Sequence, residues 1–367
     1  MVRIIQATAD RSDRHSRVKQ LLPDRFLFVA RSIACATLLL GTPILAQPPL
    51  EVQWMSEIST QSTILSGLID PSTGKIHTVF TDPDGGSGVC NSDENISVYG
   101  PNGLPILLMF DPCLSQGSLD QYVASATSTG MSPVNVLNVS SVGNPNHSHI
   151  FSEIGVIQSL NQGPPNDGYA HAYSAFADGT DLYIGGTDVD CPPLPGTVYK
   201  LGSPSWRTCM PASINSFESS GDSILAIHYP SVFKLDRMTG ALGSSFNLFT
   251  GPATNTGKTC LNGDSLYWTI VVNGFTHVGK YVLEQGSEWE QVLPYTSPPV
   301  GLELDAYGRL WTAVGNNLIW MNASDGSYDS AIQGTVIRTL DMQNGELVIT
   351  GSLNSILVFI MKAIPTP

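Results

Sequence analysis

The chain has 367 residues, 42% of them hydrophobic, which is ample for a packed core and excludes a disordered protein. Charged residues are only 13%, against 35 glycines and 25 prolines. That balance suits many short strands joined by tight turns, and the length fits either two average domains or one large all-β domain.

The N-terminus reads as an export signal. Arg14, Arg17, Lys19, Arg25 and Arg31 precede the apolar run "SIACATLLLGTPILA", with Ile44 and Ala46 where a signal peptidase looks. Residues 1–46 are therefore expected to be signal peptide and leader, cleaved after Ala46, and residues 47–367 the folded domain of a secreted or periplasmic protein. The apolar run is too short and too Pro/Gly-marked for a membrane span. Cys35 does not mark a lipid anchor, because the apolar stretch continues past it. Removing residues 1–46 takes away seven of the 17 Lys+Arg and three of the 31 Asp+Glu, leaving 10 against 28, a net charge of −18. Such a surface repels phosphate backbones, so no nucleic-acid partner is expected.

The next elements form one blade-like unit, "STGKIHTVFTD" leading into "ENISVYGPNGLPI", with a long insertion between its strands. That insertion, "TDPDGGSGVCNSDE", collects Asp82, Asp84, Ser87, Asp93 and Glu94, all hard oxygen donors of the kind calcium takes. No cofactor is expected: the stretch reads first as an acidic loop stapled by Cys90, with a calcium site as the alternative. In an oxidising compartment the simplest disulfides join Cys90 to Cys113 and Cys191 to Cys209, leaving Cys260 as a buried thiol. A degenerate unit built on "MSPVNVLNVSS" follows. Beyond it, His147 and His149 in "NPNHSHIFSE" lie two apart and share one side of an extended segment. With His171 and Glu153 or Asp167 they can build a transition-metal site; otherwise they are a polar loop and a lone channel histidine.

From here the chain repeats. "ADGTDLYIGG", "SSGDSILAIHY", "LNGDSLYWTIV", "DAYGRLWTAVG" and "QNGELVITGS" share a Gly turn and an apolar strand. The first apolar residues after the turns, Leu182, Ile224, Leu266, Leu310 and Leu347, are spaced by 42, 42, 44 and 37. Such a period is that of β-propeller blades, roughly 40–50 residues. A second strand-turn-strand recurs in each unit, with turns at Asn102-Gly103, Pro204-Ser205, Thr239-Gly240 and Asp325-Gly326. The expected fold is one all-β propeller of seven four-stranded blades, with six as the alternative. "LEVQWMSEI" is expected to pair with "ILVFIMKA" and close the ring.

"PPVGLELDAYGRLWTA" resembles the repeats of NHL and gluconolactonase-like propellers, through Pro299, Gly301, Leu302, Asp305, Gly308, Leu310 and Trp311. "VFKLDRMTGAL" resembles pyrroloquinoline-quinone-type repeats through Leu235, Asp236, Thr239 and Gly240. Each resemblance spans about one blade and implies the fold. The gluconolactonase-like enzymes place a metal-binding acid between that Pro and Gly, where this chain has Val300. That departure argues against lactonase activity.

Inner strands of a propeller face its axis, so the candidate ligand-binding set is His171, Tyr173, Asn215, Lys258, Glu303 and Arg338. No G-x-S-x-G, H-E-x-x-H or phosphate-cradling Gly loop accompanies them, and no catalytic residue is assigned. Trp206, Trp289 and Tyr295 are either a sugar- or protein-binding surface or packing between blades. Asn95, Asn138, Asn146 and Asn322 head glycosylation sequons. The sequence thus favours a secreted, non-catalytic binding or scaffold module for a protein, small-molecule or carbohydrate ligand. A metal-dependent hydrolase or lactonase, and a subunit of a cell-envelope assembly, are the alternatives.

Overall fold

A computed structural model describes residues 49–57, 63–81, 94–109, 117–129, 131–141, 144–152, 155–159, 170–188, 191, 193–251, 257–353 and 357–367. Every regular element among them is a β-strand, and there are 28. They form seven four-stranded antiparallel sheets, which settles the blade number at seven.

Blade 1 comprises β2 (Thr63–Ile69), β3 (Ile76–Thr81), β4 (Glu94–Tyr99) and β5 (Pro105–Met109). The degenerate unit is blade 2, with β6 (Gly117–Ser128), β7 (Met131–Ser141), β8 (Asn144–Ser152) and β9 (Gly155–Ser159). Blade 3 follows as β10 (Ala170–Asp178), β11 (Asp181–Asp188), β12 (Gly196–Leu201) and β13 (Trp206–Met210). Blade 4 is β14 (Ser216–Ser220), β15 (Ser223–His228), β16 (Ser231–Asp236) and β17 (Leu242–Asn247). Blade 5 is β18 (Gly257–Asn262), β19 (Ser265–Val272), β20 (Phe275–Val282) and β21 (Gly286–Leu293). Blade 6 is β22 (Pro299–Leu304), β23 (Arg309–Val314), β24 (Asn317–Asn322) and β25 (Tyr328–Gln333). Blade 7 takes β26 (Thr335–Gln343), β27 (Glu346–Leu353) and β28 (Leu357–Pro365) from the C-terminal end and its fourth strand, β1 (Leu50–Glu57), from the start of the described chain. The two ends pair antiparallel from Leu50↔Pro365 to Glu57↔Phe359, as the sequence led us to expect.

The repeated turns explain why the strands begin where they do. Leu182, Ile224, Leu266, Leu310 and Leu347 are each the second residue of a second strand, and all are buried. The turn glycines ahead of them, such as Gly179, Gly221 and Gly263, have φ between 56° and 58° and nothing within 4 Å of a would-be Cβ. Backbone conformation, not space, requires glycine there.

Hydrophobic clusters sit between blades, not within them. One joins Leu225, Ile227 and Val232 of blade 4 to Leu266, Trp268 and Ile270 of blade 5. Another joins Trp311, Ala313 and Leu318 of blade 6 to Ile337, Leu347 and Phe359 of blade 7. No blade can bury its apolar face alone, so the ring stands or falls on its neighbour contacts.

The first strands of successive blades touch one another around the ring and wall its axis. In such an up-and-down arrangement the links between blades and the hairpins joining second to third strands share one face, called here the link face. The hairpins joining first to second and third to fourth strands share the other, the turn face.

Candidate functional site

The axis is lined by more ionisable groups than the sequence reading collected. Lys258 lies on β18, Glu303 on β22 and Arg338, exposed, on β26. Tyr173, 43% exposed, is the extra residue of a β-bulge in β10. Asn215 immediately precedes β14, and its backbone N–H donates to the Ile227 carbonyl at 2.8 Å. His171 is on β10, with its side chain outside the described residues.

Glu218 on β14 and Asp341 on β26 were missed. The strand registers show why they belong: Glu218 pairs with Leu225, Cys260 with Tyr267, Glu303 with Trp311 and Asp341 with Val348. Each partner is the third residue of its blade's second strand, so the four residues hold equivalent places on blades 4, 5, 6 and 7. They form part of a ring around the axis. Lys258 stands two residues before Cys260 and so shares its side of the strand.

Glu218, Cys260, Glu303 and Asp341 are half-buried and Lys258 is exposed at the surface of its strand, each with neighbouring inner strands around it. Burial pushes the Glu218 carboxyl up to about 7, against the opposing bonds from Thr259 and the Leu261 N–H. It pushes Asp341 up to about 6, against donors at Ile69, Gln343 and Met342. Glu303 rises well above the usual carboxylate range through burial and then the charges of Asp341 and Glu218, with Lys258 opposing. Lys258 is lowered by burial, with Glu303 opposing. Burial, followed by the Glu303 and Glu218 charges, pushes the partly buried Cys260 thiol up, so it is not a nucleophile near neutral pH. The ring can hold protons near neutral pH.

Several of these groups also bind the blades together. Glu218 accepts from the Leu261 N–H of the next blade at 3.3 Å, and Asp341 accepts from the Ile69 N–H of blade 1 at 2.7 Å. Ser66 and Ser125 bridge blades 1 and 2 at 3.0 Å, Ser174 reaches the Ile214 carbonyl at 2.8 Å, and Ser216 meets Thr259 at 3.0 Å. The axis is laced, blade to blade, by its own polar side chains.

The candidate metal residues do not assemble within what the structure describes. Asp82, Asp84 and Asp93 lie outside the described residues, as do Glu153, Asp167 and the Cys90–Cys113 pair. His147 and His149 are on β8, the third strand of blade 2, whereas His171 is on the first strand of blade 3; none of the three side chains is among those described. Among the described residues no three His, Cys, Asp or Glu side chains come together as a metal site. The second disulfide forms as expected, joining Cys191 after β11 to Cys209 on β13. Asp188, on the strand leading into Cys191, pairs with Arg207 at 2.7 Å.

Trp206 and Trp289 are packing, not binding surface. Trp206 Nε1 donates to the Arg237 carbonyl at 3.0 Å and Trp289 Nε1 to the Ala323 carbonyl at 3.2 Å, each in the next blade. Trp54 does the same toward Pro101 at 2.7 Å. Each indole lies on a turn glycine of that next blade, Gly240, Gly326 or Gly103, where a Cβ would come within 2.9 Å of the ring. Asp305 likewise serves structure: it accepts from the backbone N–H groups of Tyr307 and Arg309, from Arg309 Nε and from Trp311 Nε1, all within 2.9 Å. Val300 packs against the apolar cluster between blades 6 and 7.

Tyr295 behaves differently. With Thr296, Ser297, Asn316 and Asn317 it lines a cleft of about 320 Å³ on the link face, between the link from blade 5 to blade 6 and the β23–β24 hairpin. Its backbone is fixed from below. Buried Thr276 donates its N–H to the Tyr295 carbonyl and its hydroxyl to the Ser297 carbonyl, both at 2.9 Å, and the Thr335 N–H reaches the Asn316 carbonyl at 3.0 Å. Gly315 turns the hairpin at φ 61°, and a Cβ there would meet Ser297 Oγ at 3.4 Å. The cleft lies outside the axial set, because it joins segments some twenty residues apart that no inner-strand argument connects.

No protein-family model matches this sequence, and no curated protein matches it. Solved structures do resemble it in three dimensions. A chain of the mitotic checkpoint complex superposes with a TM-score of 0.57 at 7% identity, covering 88% of this chain and 94% of that one. The WD40 domain of Pan2 from Neurospora crassa gives 0.55 at 7%, covering 89% and 98%. A catalytically inactive virginiamycin B lyase from Staphylococcus aureus, solved with quinupristin, gives 0.54 at 11%, covering 85% and 99%. What they share with this chain is the propeller. Identities so low speak to fold alone. No helix among the described residues is long and apolar enough to cross a membrane.

Proposed function

We propose that this protein is a secreted, non-catalytic binding module that takes its ligand on the link face of the propeller. One observation carries the reading. The hydroxyls and amides of Tyr295, Thr296, Ser297, Asn316 and Asn317 make no side-chain hydrogen bond among the described residues and line a cleft whose backbone is bonded from below, while on the axis Glu218 and Asp341 are engaged between blades and Asn215 Oδ1 is buried without a partner. Polar groups held on a rigid backbone and left unpaired are what a ligand site offers. The Cys191–Cys209 disulfide supports an oxidising compartment and hence export. The propellers solved within larger assemblies support a role in binding, as an analogy of fold.

The test compares full-length mature protein with Tyr295→Ala, Asn316→Ala and the axial variant Glu303→Gln, each immobilised and exposed to the exported proteins and polysaccharides of the source cells. A defined component retained by wild type and Glu303→Gln, and lost from both link-face variants at unchanged melting temperature, supports the reading. Loss on Glu303→Gln with retention by Tyr295→Ala overturns it in favour of the axis. Hydrolysis of a lactone panel abolished by Glu303→Gln would restore the enzyme alternative.

A further inference from the structure

We infer that the cleft between the blade 5–6 link and the β23–β24 hairpin is a subsite for a neutral saccharide, an inference that rests on the link-face reading above. The chemistry of its walls does the selecting. No ionised side chain lines it, so it offers no opposite charge to a carboxylate, phosphate or ammonium group. A mature net charge of −18 further disfavours anions approaching it. An apolar ligand would leave the Asn316 and Asn317 amides and the hydroxyls of Tyr295, Thr296 and Ser297 desolvated without partners, at about 1–3 kcal/mol each.

Sugar hydroxyls meet these groups well, because each donates and accepts at once. An Asn side chain presents a carbonyl and an NH₂ side by side, matching two adjacent hydroxyls, and two such amides stand in succession on the hairpin. Tyr295 and Pro294 add a stiff, partly apolar wall against which the C–H face of a pyranose ring can lie. A volume of about 320 Å³ falls at the lower end of small-molecule sites, about 300–1,000 Å³, and admits one or two sugar rings. The threonines beneath hold the lining backbone in place, so little ordering is needed on binding.

Saturation-transfer NMR and titration calorimetry on the full mature chain test this, with glucose, galactose, N-acetylglucosamine, maltose and cellobiose as neutral probes and glucuronate and glucosamine as charged ones. At least one neutral sugar is expected to bind, weakened at least tenfold by Tyr295→Ala and by Asn316→Ala and unchanged by Glu303→Gln, with all variants melting alongside wild type. Tighter binding of a charged probe overturns the inference, as does a neutral sugar whose affinity follows Glu303→Gln and not Tyr295→Ala. If no probe binds while the link-face variants still lose the exported component retained by wild type, the saccharide assignment falls and the link-face reading stands. Failure of both assays removes both.

Discussion

Asp305 offers a stringent test of how the ring is held. Each of its carboxylate oxygens accepts two bonds: Oδ1 from the N–H groups of Tyr307 and Arg309 at 2.8 and 2.9 Å, Oδ2 from Arg309 Nε and Trp311 Nε1 at 2.7 and 2.8 Å. The ion pair is buried, with side-chain exposures of 10% for Arg309 and 1% for Asp305. Asp305→Ala strands a buried guanidinium, a loss of about 3–5 kcal/mol. It also orphans two backbone N–H groups and an indole N–H, at about 1–3 kcal/mol for each that stays buried, although these costs share one hole that water can enter and do not add in full. A net loss of about 5 kcal/mol follows, and at about 2 °C per kcal/mol for a domain this large the melting temperature falls by about 10 °C. Differential scanning calorimetry at one scan rate reads this, with Trp fluorescence following the loss of the Trp311 environment. The decisive variant is Asp305→Ala with Arg309→Met, which replaces the stranded cation by an apolar chain of similar length and should recover more than half of the loss. A drop below about 2 °C for Asp305→Ala, or no recovery in the double variant, would refute the argument.

Three further predictions follow from other parts of the ring. Glu218 and Asp341 have raised values, about 7 and about 6, so between about pH 4 and 7 the folded protein binds more protons than the unfolded chain. Stability is therefore greatest below the unfolded values and falls as pH rises through the folded ones. Glu218→Gln should raise the melting temperature at pH 8 by an amount equivalent to about 2 kcal/mol and leave it nearly unchanged at pH 4, whereas parallel curves for variant and wild type would contradict this. Gly240→Ala meets both a φ of 69° and the Trp206 ring at 2.6 Å, while Gly179→Ala meets only its φ of 58°. Chemical denaturation should therefore find about 3 kcal/mol for the first and about 1 kcal/mol for the second, with Trp206→Leu rescuing only the first. Replacing Cys191 and Cys209 together by Ser opens a link of sequence separation 18 and should cost about 3 kcal/mol, measured against a Cys260→Ala control near zero.

The fold was legible because its grammar is local. A glycine forced to positive φ and a buried leucine or isoleucine two or three residues later recur whether or not the rest of the blade does, and they mark five second strands. Blade 2 reads only as a degenerate unit because its first two strands, of 12 and 11 residues, are rich in Ser and Asn and lack a comparable apolar run. The axial ring was half legible. Glu303 and Lys258 stood out, but Glu218 and Asp341 align with Glu303 only after turn lengths are allowed for. The glycine opens the two-residue turn in blades 4 and 5, closes it in blade 7, and ends a longer turn in blade 6, so equivalent residues fall at different distances from it. The cleft was beyond reach, since Tyr295 and Asn316 meet only through the way one link lies beside the next hairpin.

The pairing of β1 with β28 has a consequence for how the protein is made. Among the described strands, Leu50–Glu57 leaves the ribosome first and must wait for Leu357–Pro365, which leaves last, before it gains its neighbour. Six blades can hold their own four strands during synthesis, but the clasp that converts an open arc into a ring is fastened only at the end. Losing the C-terminal strand leaves β1 without its partner, whereas losing β1 leaves β28 paired with β27 and the clasp unfastened.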